Sequence, residues 1–303
     1  MKHISFFLIT SLMVSFACKQ APKPLSNKQK FQASLDSFVA SKKADIGIAI
    51  ISEDGKDTFH VNGNKEYVMM SVVKFPQALC ILSLAESNPD MLKQTVYFDS
   101  MELKRDTWSP LGDQLHRLGD YTTTLMACFP YSVGSSDNIV CDKLYDFASM
   151  DQVTKFVHNN GDEHFGIGFK YKDMKKESLN KNFSSAMCMA KLLYKFDHNQ
   201  ILKTGLKDSL WNIMAGTSTG QNRLKAGLPQ DAIIAHKTGT FFDDSTFIEA
   251  FNDVGIVKMN NGKKYYIAVL VNNSKELEDG TSAILSEINR MTYAYMRGLE
   301  ERK

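Results

Sequence analysis

Strand-forming runs stand at the two ends of this chain, and helical patterns fill the stretch between them. Residues 45–51 read D-I-G-I-A-I-I, the continuous apolar run of a strand buried on both faces. Glu53, Asp54, Gly55 and Lys56 make a turn, and residues 58–61 return as the hairpin partner. At the other end, residues 232–235, 247–258 and 265–271 have strand character, and Asn260-Asn261-Gly262-Lys263 marks a hairpin between the last two. Between about 65 and 216 the periodicity is helical, in windows 73–86, 122–127, 139–148, 150–158, 185–196 and 206–214. Helices also follow at 28–40, from the stripe Phe31, Leu35, Phe38 and Val39, and at 281–298. This order predicts a fold of the α/β (α+β) class: one antiparallel sheet built from both termini and flanked by their helices, with an all-helical lobe inserted. The expected division is 28–64 plus 217–303 for the α/β sheet domain and 65–216 for the inserted all-α domain.

Charge narrows the partners. Among 303 residues, 36 Lys and Arg nearly balance 34 Asp and Glu, a formal net charge of +2. Phosphate backbones demand a basic excess, so nucleic acid is not expected as a partner. No run beyond residue 20 reaches the roughly 18 apolar residues of a membrane-spanning helix. The N-terminus reads as an address: Met1-Lys2-His3, an apolar run over residues 4–16, then Ala17-Cys18. Residues 1–18 are expected to be a secretory signal, with Cys18 as a possible site of lipidation, although Ser15 stands where a lipobox usually carries Leu. Residues 19–27 read as a tether, so the expected location is periplasmic or membrane-anchored. Export permits disulfides, but the spacing of Cys80, Cys128, Cys141 and Cys188 selects no pairing and equally fits buried thiols.

Several short motifs bear on chemistry, and their context separates them. S-x-x-K occurs at Ser71-Val72-Val73-Lys74 and again at Ser178-Leu179-Asn180-Lys181. The first opens an apolar helical run, which returns Lys74 to the face of Ser71 one turn on; the second lies in a polar stretch. K-T-G occurs at Lys203-Thr204-Gly205, where Gly205 reads as a helix cap, and at Lys237-Thr238-Gly239, behind an apolar strand. S-D-N occurs once, at Ser136-Asp137-Asn138, where Asp137 reads as a structural residue that turns the loop and caps the next helix. The histidines show no H-E-x-x-H arrangement, and no metal or cofactor is expected.

Ser71-x-x-Lys74, Ser136-Asp137-Asn138 and Lys237-Thr238-Gly239, in that order, resemble the signature of the serine β-lactamases and penicillin-binding proteins. From about 28 to 300 the chain resembles a class A β-lactamase. Trp108-Ser109-Pro110 is similar to the segment that walls the family's active site, and the segment from Thr219 to Pro229 matches the one before the K-T-G strand. The resemblance implies a β-lactamase/transpeptidase-like fold and a monomer that acts on a β-lactam or a D-Ala-D-Ala-like small molecule. It implies Ser71 as nucleophile, Lys74 as its base and Ser136 as proton shuttle. Asn138, Trp108, Lys237, Thr238, Gly239, Thr240 and Arg223 would bind substrate, with the backbone N–H groups of Ser71 and Thr240 as the oxyanion hole.

One departure stands out. Class A enzymes carry a glutamate that activates the deacylating water. Ungapped alignment puts Tyr171 there; Glu177 is displaced by several residues, and Glu163 and Asp173 are weaker candidates. The alternative expectation is therefore an acylation-only or slow-turnover penicillin-binding or peptidase-like protein. Two other readings compete. An α/β-hydrolase would use Ser218 of Gly216-x-Ser218-x-Gly220 with Asp231 and His236, but the segment before Ser218 reads as helix rather than strand. An exported binding protein with a degenerate site would leave Ser71 unreactive.

Overall fold

The computed structural model describes residues 24–244 and 247–298. The signal segment, Cys18 and most of the tether lie outside the described residues.

The chain opens with α1 (Asn27–Ala40), started by a capping box in which Ser26 accepts from the Gln29 backbone N–H and the Gln29 side chain answers at Ser26. Strands β1 (Asp45–Ser52) and β2 (Thr58–Val61) form the first hairpin. Then come β3 (Glu66–Val68), α2 (Lys74–Ser87), β4 (Thr95–Phe98), α3 (Pro110–Leu115) and β5 (Tyr121–Thr124). Helices α4 (Leu125–Phe129), α5 (Asn138–Leu144) and α6 (Met150–Asn160) follow, with β6 (Phe165–Gly166), β7 (Phe183–Ser185), α7 (Ala186–Asp197) and α8 (Thr204–Ala215). The chain returns through β8 (Ile233–Asp244), β9 (Phe247–Lys258) and β10 (Lys264–Ser274) to α9 (Leu277–Gly298).

The sheet has the order β2-β1-β10-β9-β8, antiparallel throughout, so the two termini interleave at its centre. Its central strands are apolar on both faces because both faces are covered. Ile46, Ile48 and Ile50 of β1, with Tyr265, Ile267, Val269 and Val271 of β10, pack against Phe31 and Leu35 of α1 and Ile284, Leu285 and Ile288 of α9. Ala49 and Ile51, with Tyr266, Ala268 and Leu270, face the larger core made with the intervening helices. Alternation along each strand divides a continuous apolar run between two cores. Strand β8, which carries Lys237-Thr238-Gly239, is the sheet's edge and is left facing the helical stretch.

Three expectations are corrected. The stretch 65–216 is mainly helical but not all-helical: β4 pairs with β5, and β3, β7 and β6 make a three-stranded sheet. Within it, residues 122–124 are strand rather than helix, since Thr122 and Thr123 pair with Tyr97 and Val96 and the β-branched run favours extended backbone. Gly205 is not a cap but the second residue of α8. Elsewhere only the ends move: α5 stops at Leu144 instead of 148, and α9 starts at Leu277, four residues early.

Candidate active site

Ser71 sits on a short 3₁₀ turn, Met70–Val73, that runs directly into α2. The residue before it, Met70, is held at φ +46°, and Ser136 of the second motif at φ +62°. Non-glycine residues in the left-handed region cost on the order of 1–3 kcal/mol and persist where packing over-determines them. Here Gly239 of β8 supplies the constraint. A Cβ at that position would collide with the Met69 carbonyl oxygen and crowd the backbone nitrogens of Ser71 and Val72. The third motif ends in glycine because the edge strand must press on the nucleophile's turn.

Lys74 is wholly buried, and its ammonium is surrounded by acceptors. Nζ donates to Ser71 Oγ (3.0 Å), the Ser136 carbonyl (2.6 Å) and Asn138 Oδ1 (2.6 Å), with Ser136 Oγ 3.4 Å away. On the other side of Ser136, Lys237 Nζ donates to the same Oγ at 2.9 Å and to the Thr238 carbonyl. A continuous path thus runs from Ser71 through Lys74 and Ser136 to Lys237. Burial lowers the Lys74 pKa to about 8, partly opposed by Cys141, Asp137 and Asp142. Lys237 is pushed well below its ordinary value by burial and then by the like charge of Lys74.

The frame around these groups is set by Asp137. Its Oδ1 accepts from the Val140 N–H and caps α5, as expected, while Oδ2 accepts from Ser109 Oγ (2.7 Å) and the Leu111 N–H (2.8 Å). This ties the Trp108-Ser109-Pro110 segment to the second motif. Asn138 is held from both ends, by Lys74 and by Nδ2 donating to Thr107 Oγ1. Trp108 is 61% exposed at the mouth, its indole N–H on the Ser135 carbonyl.

A cleft of about 460 Å³ opens over Ser71. It is lined by Ser71, Ser136, Asn138, Trp108, Arg223, Thr238, Gly239 and Thr240, and Lys74 and Lys237 are bonded to its floor. Every residue expected in the site therefore meets at one place. Arg223 is more occupied than expected. Its guanidinium donates to the Asn252 carbonyl (2.8 Å) and Thr240 Oγ1 (2.5 Å) and stacks 3.5 Å from the centre of the Phe251 ring. The competing elbow is absent: Ser218 is exposed after α8, and His236 is buried against Asp253.

A family model described as "Beta-lactamase enzyme family" matches residues 28–296. Over 300 residues the chain is 32% identical to the β-lactamase VEB-1 of Pseudomonas aeruginosa, covering 97% of this chain and 99% of that protein. It is 30% identical over 292 residues to a β-lactamase of Bacteroides uniformis, with 95% and 98% covered. A crystal structure described as a representative class A β-lactamase from Bacteroides cellulosilyticus superimposes with a TM-score of 0.84 at 32% identity, covering 91% of this chain and all of that one. The chain belongs to the class A serine β-lactamase family.

For a class A β-lactamase chain, one flank of Ser71 is unusual. Tyr171 lies there, 8% exposed, and its hydroxyl shares a 3.1 Å hydrogen bond with Ser71 Oγ. The ring centre is 4.5 Å from Lys74 Nζ. The substitute carboxylates do not take the place: Glu177, Glu163 and Asp173 are exposed, and none lines the cleft. Asp142, which sequence reasoning missed, holds Tyr171 in position by accepting from the backbone N–H groups of Tyr171 (2.6 Å) and Lys172 (2.8 Å) and from Arg105 (2.8 Å). Asp142 stands four residues after Asn138 on α5, a spacing that could have flagged it once Asn138 was placed. Phe241, Phe242, Met174 and Glu278 of the cleft wall carried no comparable signal.

Proposed function

We propose that this chain is a serine hydrolase of the class A β-lactamase type, opening the β-lactam ring through an acyl-enzyme on Ser71. The observation that carries the reading is the Ser71–Lys74–Ser136–Lys237 path, in which two buried amines flank one hydroxyl beside the nucleophile. A serine hydroxyl attacks only when a base removes its proton. Neutral Lys74 takes that proton as Oγ bonds to the lactam carbonyl carbon. The C–N bond then breaks, and Ser136 passes a proton to the released nitrogen and regains one from its lysine partners. The Ser71 N–H beside Gly239, with that of Thr240 on β8, is suited to hold the developing oxyanion; each such donor contributes roughly 10²–10³ in rate. Thr238, Thr240 and Arg223 offer donors to the substrate carboxylate, while Asn138 and the face of Trp108 border its side chain.

The apolar run over residues 4–16 before Ala17-Cys18 supports export, with a periplasmic or lipid-anchored destination. Mixing the protein with a chromogenic cephalosporin should open the ring and add the opened drug's mass to the chain. Ser71→Ala should lower ring opening by at least about 10⁴-fold and abolish the adduct. Ring opening that survives Ser71→Ala would sink the reading.

A further inference from the structure

Only two side chains hydrogen-bond to the Ser71 hydroxyl among the described residues, Lys74 and Tyr171, and they do different things. Lys74 supplies a base for attack. Tyr171 supplies a phenol, buried and anchored through its own backbone. Asp142 grips the N–H groups of Tyr171 and Lys172, and Arg105 grips Asp142, so the ring is a fixed wall.

Consider what regenerating the enzyme requires. Water must add to the ester carbonyl, a base must take the water's proton, the C–Oγ bond must break, and Ser71 must recover a proton. Both the space and the base matter. Beside Ser71 on this flank the volume is filled by the Tyr171 ring. Burial raises the phenol's pKa well above its ordinary value, so the hydroxyl stays protonated and accepts no proton from water. Glu278 of the cleft wall stands near Arg223, and the two carboxylates near Lys74 are committed elsewhere: Asp137 to Ser109, Leu111 and Val140, and Asp142 to Arg105 and the Tyr171 loop. Neither is hydrogen-bonded to Ser71, Lys74 or Ser136 through a side chain.

We propose that Tyr171 shields the Ser71 ester from water, making the chain a nearly stoichiometric covalent acceptor of β-lactams in which release, not ring opening, limits turnover. This rests on the reading of Ser71 as the acylated nucleophile. It adds a role for a residue of this chain that replaces, rather than merely lacks, the water-activating group. Tyr171 acts by position and exclusion. Its hydroxyl also holds the unacylated Oγ, and its ring faces the Lys74 ammonium, a cation–π arrangement that stabilises the resting site.

The test separates the two steps. The full chain is mixed with excess penicillin or chromogenic cephalosporin; the burst of ring opening gives the acylation rate. Acyl-enzyme freed of excess drug is then followed by intact mass for the rate of release. The wild-type chain should give a burst of about one ring per chain and an adduct that outlasts it by orders of magnitude. Tyr171→Glu, which supplies a base, should hasten release by about 10²-fold or more. Tyr171→Ala, which opens space for water without a base, should hasten it less and serves the same comparison if the charged variant does not fold. Tyr171→Phe keeps the wall and should release as slowly as wild type. Steady turnover by the wild type with no burst and no adduct, or an adduct lifetime unchanged in both Tyr171→Glu and Tyr171→Ala, would overturn the proposal. Absence of both adduct and hydrolysis in the wild type would instead overturn the assignment of Ser71.

Discussion

Lys74 shows how much one buried side chain depends on its surroundings. Removing an ammonium from water disfavours its charge, while three acceptors within 3.0 Å favour it. Burial wins, leaving a pKa of about 8. The base-competent form is the neutral amine, so the sign follows directly. Acylation should rise with pH, about tenfold per unit below the apparent pKa, and level off above it. Since Lys74 and Lys237 share Ser136, the apparent value belongs to the pair. Burst rates measured from pH 6 to 10 check this; a profile that is flat or falls between 6 and 9 excludes Lys74 as the base.

At the scale of elements, the site is a junction of four pieces: the turn into α2, the start of α5, the edge strand β8 and the turn bearing Tyr171. Asp137 ties the start of α5 to the 109–111 segment beside the cleft. It satisfies the N-terminus of α5 and two donors from the 109–111 segment, and it is completely buried. Losing a helix cap costs about 1 kcal/mol, and each buried donor left unpaired adds about 1–3 kcal/mol. Asp137→Ala should therefore destabilise the protein by about 3 kcal/mol or more and slow acylation by misplacing Ser136 and Asn138. Urea unfolding monitored by tryptophan fluorescence measures the first effect. A loss below about 1 kcal/mol would show that the cap and the tie are dispensable.

For the molecule as a whole, two cores on opposite faces of one sheet carry the fold, and no cross-link is needed. Cys80, Cys128, Cys141 and Cys188 are all buried free thiols. Burial pushes the pKa of Cys80 up to about 11 and those of Cys128, Cys141 and Cys188 up to about 12, which leaves almost no reactive thiolate at neutral pH. Native protein should leave these four thiols unmodified by an aromatic disulfide reagent, denatured protein should release all four to it, and reductant should not shift Tm. A Tm lowered by reductant would reveal a disulfide and contradict the arrangement.

Local chemistry made much of this legible in the amino-acid order. The apolar runs of β1 and β10 are continuous because both sheet faces are covered, and they marked those strands before any contact was known. Ser71-x-x-Lys74 carried its own geometry, since one helical turn returns the lysine to the serine. Sequence fixed less where the deciding partner is remote. The 122–124 strand depends on β4, and the backbone grip on Tyr171 depends on a carboxylate 29 residues earlier. Tyr171 was visible as a departure from the glutamate, but only folding brought its hydroxyl to Ser71 and its ring to Lys74. Residue order thus determined which reactive groups exist and which short stretches present them. Tertiary packing decided their burial, their proton affinities and the neighbour each one meets, because those quantities depend on atoms far away along the chain.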